Sequence, residues 1–115
     1  MNTPGVVTSL VTPFSSPADG AGGTSPLIDE AAWRRSIAFQ RDSGIAAVAV
    51  AGWIGEGPTL SRKERQRLVL LAAEAAGPMR VFADVSSNDT ARAETYAADA
   101  EAAGADAVIV VTPSY

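Results

Sequence analysis

Apolar positions along the chain alternate between short β-type runs and stretches of helical period. Val6 to Thr12 is a β-branched run ended by Pro13, which predicts a first strand. Residues 15–26, SSPADGAGGTSP, are aperiodic and rich in Gly, Pro and Ser, which predicts a flexible surface loop. From Asp29 the period becomes helical. Trp33, Ile37 and Gln40 fall at i, i+4 and i+7, with Ala32, Ser36 and Phe39 beside them. Asp29 suits an N-cap, Glu30 the first turn, and Arg41 with Gly44 the end of this helix. Ile45 to Ala51 is apolar throughout, as expected of a parallel strand covered on both faces.

The second helix has the sharpest start. Ser61-x-x-Glu64 is a capping box just after a Gly/Pro loop. Leu68, Leu71, Ala72 and Ala75 continue at helical spacing until Gly77-Pro78. Arg80 to Val85 predicts a third strand and Ser86 to Asp89 a turn, with Asp89 or Thr90 capping a third helix. Ala93, Tyr96, Ala97 and Ala100 form that helix's stripe, Gly104 ends it, and Ala107 to Val111 is a fourth strand. The order is β-α-β-α-β-α-β. Helix-ending glycines at 44, 77 and 104 lie 33 and 27 residues apart, the spacing of βα units with parallel strands. Pattern alone leaves two α/β architectures open, half of a (β/α)₈ barrel or a small doubly wound sheet.

Composition narrows the chemistry. The 115 residues are 47% hydrophobic and 19% charged, and the 23 alanines concentrate in the helical stretches, which reads as packing material. Nine basic residues against 13 acidic give a net charge of −4, which argues against nucleic acid and anionic membranes as partners. Cysteine and histidine are both missing, so disulfides, thiol nucleophiles, imidazole bases and the usual zinc sites are excluded, and no metal or cofactor is expected. No apolar run reaches the roughly 18 residues of a membrane span. MNTPGVV lacks the basic and apolar regions of a secretory signal, so a cytoplasmic protein is expected.

In either architecture the chemistry belongs at the strand C-termini. Those loops are Thr12-Pro13-Phe14, Gly52-Trp53-Ile54-Gly55-Glu56-Gly57, Asp84 to Asp89, and Thr112 to Tyr115. The second is glycine-rich, and successive N–H groups in such a loop cradle a carboxylate or phosphate. Its G-x-x-G-x-G order is not a dinucleotide fingerprint, and no G-K-[ST] follows.

Taken together, these loops resemble the dihydrodipicolinate synthase / N-acetylneuraminate lyase family. The resemblance rests on Gly5…Thr8-Ser9-Leu10-Val11-Thr12-Pro13-Phe14, Ile28-Asp29, Gly44 and Gly52-x-x-Gly55-Glu56. It continues through Thr59-Leu60-Ser61-x-x-Glu64-Arg65, Asn88-x-Thr90, residues 103–107 (AGADA) and Val111-Thr112-Pro113-x-Tyr115. It implies the N-terminal half of a (β/α)₈ barrel and a class I aldolase, in which a lysine forms a Schiff base with pyruvate or a related 2-oxo acid. It also implies that Gly52, Trp53, Ile54, Gly55 and Glu56 bind the substrate carboxylate, that Tyr115 serves a proton relay, and that the protein is a homo-oligomer. Trp53 and Ile54 stand where the family usually has two threonines, Ser114 where it often has a tyrosine, and Asp84 and Ser86 at frequent glycines. These departures point to a lyase with a different acceptor.

The family's lysine lies on a later strand, and the sole lysine here, Lys63, falls in the first turn of the second helix. It reads as a solvated charge, with Arg62 and Arg65 on the same wet exterior. The chain alone is therefore expected to be inactive, and its open edge strands to promote self-association. Trp53 reads equally as a specificity wall or a lid. Glu56 reads as a loop-orienting acceptor of N–H bonds before a base, and Asp106 as a turn cap. Two rivals to the aldolase are a doubly wound anion- or nucleotide-binding module and a non-catalytic half-barrel that self-associates.

Overall fold

The computed structural model describes residues 5–15 and 27–113. The predicted loop at 15–26 therefore lies almost wholly outside the described residues, and so does Tyr115. Ser15, at the near end of that loop, donates through its backbone N–H to the Leu27 carbonyl at 2.7 Å, next to an antiparallel bridge between Phe14 and Ile28.

Four strands, β1 (Val7–Ser9), β2 (Ala47–Val50), β3 (Arg80–Asp84) and β4 (Ala107–Ile109), alternate with three helices, α1 (Glu30–Asp42), α2 (Arg62–Ala75) and α3 (Thr90–Ala103). The strands are all parallel and lie in the order β1-β2-β3-β4. The sheet thus grows by one neighbour per βα unit, as in an arc of a barrel. A doubly wound sheet instead reverses strand order at a switch point.

Each helix begins where its cap chemistry dictates. Asp29 accepts from the Ala32 N–H at 3.0 Å. Ser61 Oγ accepts from the Glu64 N–H at 3.1 Å while Glu64 Oε1 accepts from the Ser61 N–H at 2.7 Å, completing the capping box. Asp89, rather than Thr90, caps α3. Arg41 does more than mark the end of α1: it reaches across and donates to the Ala75 carbonyl at 2.9 Å, satisfying a terminal carbonyl of α2.

Strand pleating sorts side chains onto two faces. Leu10, Val48, Val50, Val81 and Ala83 are buried in one cluster with Trp33 and Ile37 of α1 and Leu68, Leu71 and Ala72 of α2. Trp33 is fully buried and its indole Nε1 donates to the Leu68 carbonyl at 3.1 Å. The opposite face carries Val7, Ser9, Ala47, Ala49, Phe82, Ala107 and Ile109. All of β2 is buried, as its unbroken apolar run predicts. The reason differs on the two faces: Val48 and Val50 lie under helices, whereas Ala47 and Ala49 are small side chains on a central strand, sunk between those of β1 and β3.

Burial thins toward both edges. Phe39, expected beside the buried stripe of α1, is 67% exposed. On α3 only Ala100 is fully buried, with Ala93, Tyr96 and Ala97 partly covered. Val108 and Val110 on the β4 edge are also exposed. Asp106 is a turn residue at the foot of β4, as expected: its Oδ2 accepts from the Val81 N–H at 2.8 Å.

Adjacent helices are joined by forked ion pairs. Arg67 donates through Nε and Nη2 to Glu30, at 2.8 and 2.9 Å, and Arg62 likewise to Asp99, at 2.7 and 2.9 Å. The hydrogen bonds from Arg67 and Arg62 hold the Glu30 and Asp99 carboxyls below the usual carboxylate range. A carboxyl whose pKa is lowered by folding contributes stability above its unfolded pKa and loses it as pH falls through the folded value. Denaturant midpoints are therefore expected to drop as pH is lowered through and below the ordinary carboxylate range, and Asp99→Asn to flatten that drop in a urea titration series.

Candidate active site at the strand C-termini

The four strand-end loops are stitched together by side chains that bond backbone on a neighbouring loop. Thr12, buried after β1, donates through Oγ1 to the Gly55 carbonyl at 2.7 Å. Arg65 donates through Nη2 to the Gly57 carbonyl at 2.6 Å and through Nη1 to the Asp84 carbonyl at 3.0 Å. Ser86 Oγ accepts from the Val111 N–H at 2.8 Å, and Asp84 Oδ1 from the Ser86 N–H at 2.9 Å. The loop after β2 is thereby tied to the loop after β1 and to the end of β3, and the β3 end to the segment after β4.

Within the β2–α2 loop the backbone turns tightly. Gly57 N–H donates to the Gly52 carbonyl at 3.0 Å and Glu56 N–H to the Trp53 carbonyl at 3.2 Å. Ala51 and Glu56 bracket the turn with left-handed φ values of 60° and 59°. Such conformations cost a non-glycine residue about 1–2 kcal/mol and gather at functional sites. A Cβ on Gly57 would overlap the Ala51 carbonyl, and one on Gly55 would come within 2.9 Å of the Leu10 carbonyl, so both glycines answer to close backbone approach. Among the described residues, the N–H groups of Trp53, Ile54 and Gly55 donate to no acceptor.

The loop borders a cleft of about 790 Å³ at the strand C-termini, which also reaches Asp84, the β3–α3 turn, α3 and Val111. Gly52 and Gly55 are buried, while Trp53 and Ile54 project with 86% and 57% of their surface exposed. Glu56 is exposed; its carbonyl accepts from Thr59 through both N–H and Oγ1, and its carboxylate caps nothing in the loop. The orienting role expected of that carboxylate is taken by Thr12 and Arg65. Lys63 is exposed on α2, as expected. Among the described residues no cluster of acidic side chains has the geometry of a metal site, and no helix is long and apolar enough to cross a membrane.

Arg65 is the residue that sequence reasoning misplaced. It is only 8% exposed, with its guanidinium carbon 4.3 Å from the centroid of the Tyr96 ring on α3. Burial pulls its pKa down, and the nearby Tyr96 and Asp84 act against that pull. The signal was present: Arg65 lies three and four residues before Leu68 and Val69, on the buried stripe. Arg62 and Lys63 are indeed on the wet side.

Residues 2–115 match the model of the Dihydrodipicolinate synthetase family. The chain belongs to that family. It is 45% identical over 112 residues to 4-hydroxy-tetrahydrodipicolinate synthase of Methylobacterium radiotolerans, covering 96% of this chain and 34% of that one. Among solved structures, dihydrodipicolinate synthase from Aquifex aeolicus superposes with a TM-score of 0.83 at 35% identity, over 96% of this chain and 35% of that one. A dihydrodipicolinate synthase family protein from Coccidioides immitis gives 0.87 at 32%, over 98% and 35%. The four strands and their helices are therefore the N-terminal part of a TIM barrel, and the doubly wound alternative is not favoured. The chain spans about a third of the length of these relatives.

Two of the three loop glycines, Gly57 and Gly52, make a sharp test of this packing. Gly57→Ala is expected to destabilise the fold by more than about 2 kcal/mol, because the Ala51 carbonyl has to move. Gly52→Ala, whose Cβ meets nothing nearer than 3.8 Å, is expected to leave the urea midpoint nearly unchanged.

Proposed function

We propose that this chain is the carboxylate-binding part of a Schiff-base 2-oxo-acid aldolase. The observation that carries the reading is the locked turn at 52–57, which has three uncommitted N–H groups and borders, through Gly52 and Trp53, a cleft at the strand C-termini. N–H groups fixed in advance on a rigid turn stabilise an anion without reorganising when it binds. In this reading Trp53 and Ile54 hold the substrate carboxylate through their backbone, Gly52 and Gly55 allow the close approach, and Glu56 lies at the rim.

The chemistry follows the family resemblance. A lysine amine from a later strand adds to the ketone of pyruvate or a similar 2-oxo acid and expels water, giving an imine. The protonated imine draws electrons from C3, so a carbon–carbon bond there can be made to an acceptor carbonyl or broken. Tyr115 takes the role of proton relay. With an indole at 53 and an aliphatic side chain at 54, no hydroxyl from these two positions joins that relay, so the backbone alone serves the carboxylate. The homo-oligomeric state and the cytoplasm as location are part of the same proposal.

The test is a barrel completed by a relative. Fused to the remaining two thirds of the Methylobacterium radiotolerans enzyme, this chain is expected to give a borohydride-stable pyruvate adduct on a lysine of the downstream part, read by peptide mass mapping. The 115-residue chain alone is expected to give none. A fusion with native-like circular dichroism and no adduct, or an adduct on Lys63, overturns the proposal.

A further inference from the structure

We propose that Trp53 is a specificity-determining wall of the cleft, selecting a 2-oxo acid that carries an aromatic or bulky apolar group away from its carboxylate. This rests on the aldolase reading above. The chain has two tryptophans with opposite fates: Trp33 is fully buried in the core and Trp53 is 86% exposed. An indole buries 150–250 Å² when covered, so holding one out in a cleft leaves a large apolar surface for a ligand.

The turn beneath Trp53 makes a wall the better reading than a lid. Its backbone is fixed by Thr12 on Gly55, by Gly57 on Gly52 and by Arg65 on Gly57, and a Cβ at Gly57 would already overlap Ala51. Lids need a hinge that absorbs a change of φ and ψ. Each of these bonds opposes such a change.

Position and chemistry then fix the ligand class. A carboxylate on the N–H groups of residues 53 and 54 places the remainder of the acid beside the side chains of those same residues. Both side chains are apolar; in the cleft the indole, Pro58 and Val111 are apolar, while Asp84, the β3–α3 turn and Arg92 are polar. A polar group set against the indole loses water without gaining a hydrogen bond from that face, whereas an apolar one gains contact.

Two measurements test this. In the fused barrel, pyruvate and 4-phenyl-2-oxobutanoate compete for the lysine and are trapped with borohydride. Trp53→Thr is expected to lower the ratio of aromatic to pyruvate adduct by about tenfold or more, and Trp53→Phe to restore most of it. In the 115-residue chain, the Trp53 indole N–H resonance, assigned by its loss in Trp53→Phe, is expected to shift with 4-phenyl-2-oxobutanoate and much less with equal pyruvate. An unchanged adduct ratio in Trp53→Thr, or equal indole shifts with both acids, overturns the inference while pyruvate labelling stands. Absence of pyruvate labelling in the unsubstituted fusion overturns the aldolase reading, and this inference with it.

Discussion

One buried guanidinium holds the C-terminal end of the strands in shape. Arg65 leaves α2 beneath the β2–α2 loop and bonds two carbonyls that no strand ladder can satisfy, Gly57 in the loop and Asp84 at the end of β3. Tyr96 covers its face from α3. Burying a charge is costly unless its donors are used, and the Nε of Arg65 is buried with no acceptor among the described residues. The two Nη bonds and the ring therefore offset a desolvation cost that a neutral side chain would not incur. What the fold gains is a fixed relation between two consecutive βα units, β2–α2 and β3–α3. Replacing the arginine with an apolar residue of similar size would leave one buried and one partly buried carbonyl unpaired, at about 1–3 kcal/mol for the buried one and less for the other.

That clamp matters because the sheet is finished on one face only. On the helix side, Trp33, Ile37, Leu68 and the strand valines form a continuous core. On the other side Val7 and Val11 are exposed, and at the β4 edge Val108, Val110 and Val111 are as well. In a closed barrel the inward residues of alternate strands stack in layers, and the small side chains of Ser9, Ala47, Ala49 and Ala107 suit such a layer alongside Phe82 and Ile109. The fit to full-length barrels of this family, at TM-scores of 0.83 and 0.87, shows that the arc already has barrel curvature. Curvature here is a property of the four strands and their helices together.

Much of this was legible in the residues, and the parts that were not share a cause. Caps depend on atoms within four residues, so Asp29, Ser61 with Glu64, and Asp89 could be read directly. Strand existence was legible from apolar runs punctuated by Gly44, Gly77 and Gly104, whereas the order of strands in the sheet was not, because the same runs fit a doubly wound sheet. Strand length was not: β1 pairs over Val7–Ser9 although the apolar run extends from 6 to 12, because ladder length is set by the partner. Past the strand, Leu10 still donates to the Ala49 carbonyl at 3.1 Å, after which Thr12 turns to bond Gly55 instead. Arg65 was hidden because charge suggests solvent even where spacing says core. The Ser86 to Val111 bond joins residues 25 apart and leaves no local trace.

The departures from family pattern acquire a physical sense once these long-range bonds are seen. Asp84 and Ser86, which stand at frequent glycines, supply side-chain acceptors that a glycine lacks: Asp84 orders the turn onto Ser86, and Ser86 holds the segment after β4. This region therefore exchanges backbone freedom for cross-loop bonding. The β2–α2 loop changes in the other direction, since Trp53 and Ile54 remove hydroxyls while Gly52, Gly55 and Gly57 keep the turn that presents the N–H groups. Anion binding by backbone depends on the turn alone and survives any side chain that the turn admits. In the proposed function acceptor choice depends on what those side chains offer. The two proposed roles are separable on this loop, because a substitution at 53 changes the side chain presented to the cleft while the turn and its N–H groups stay in place.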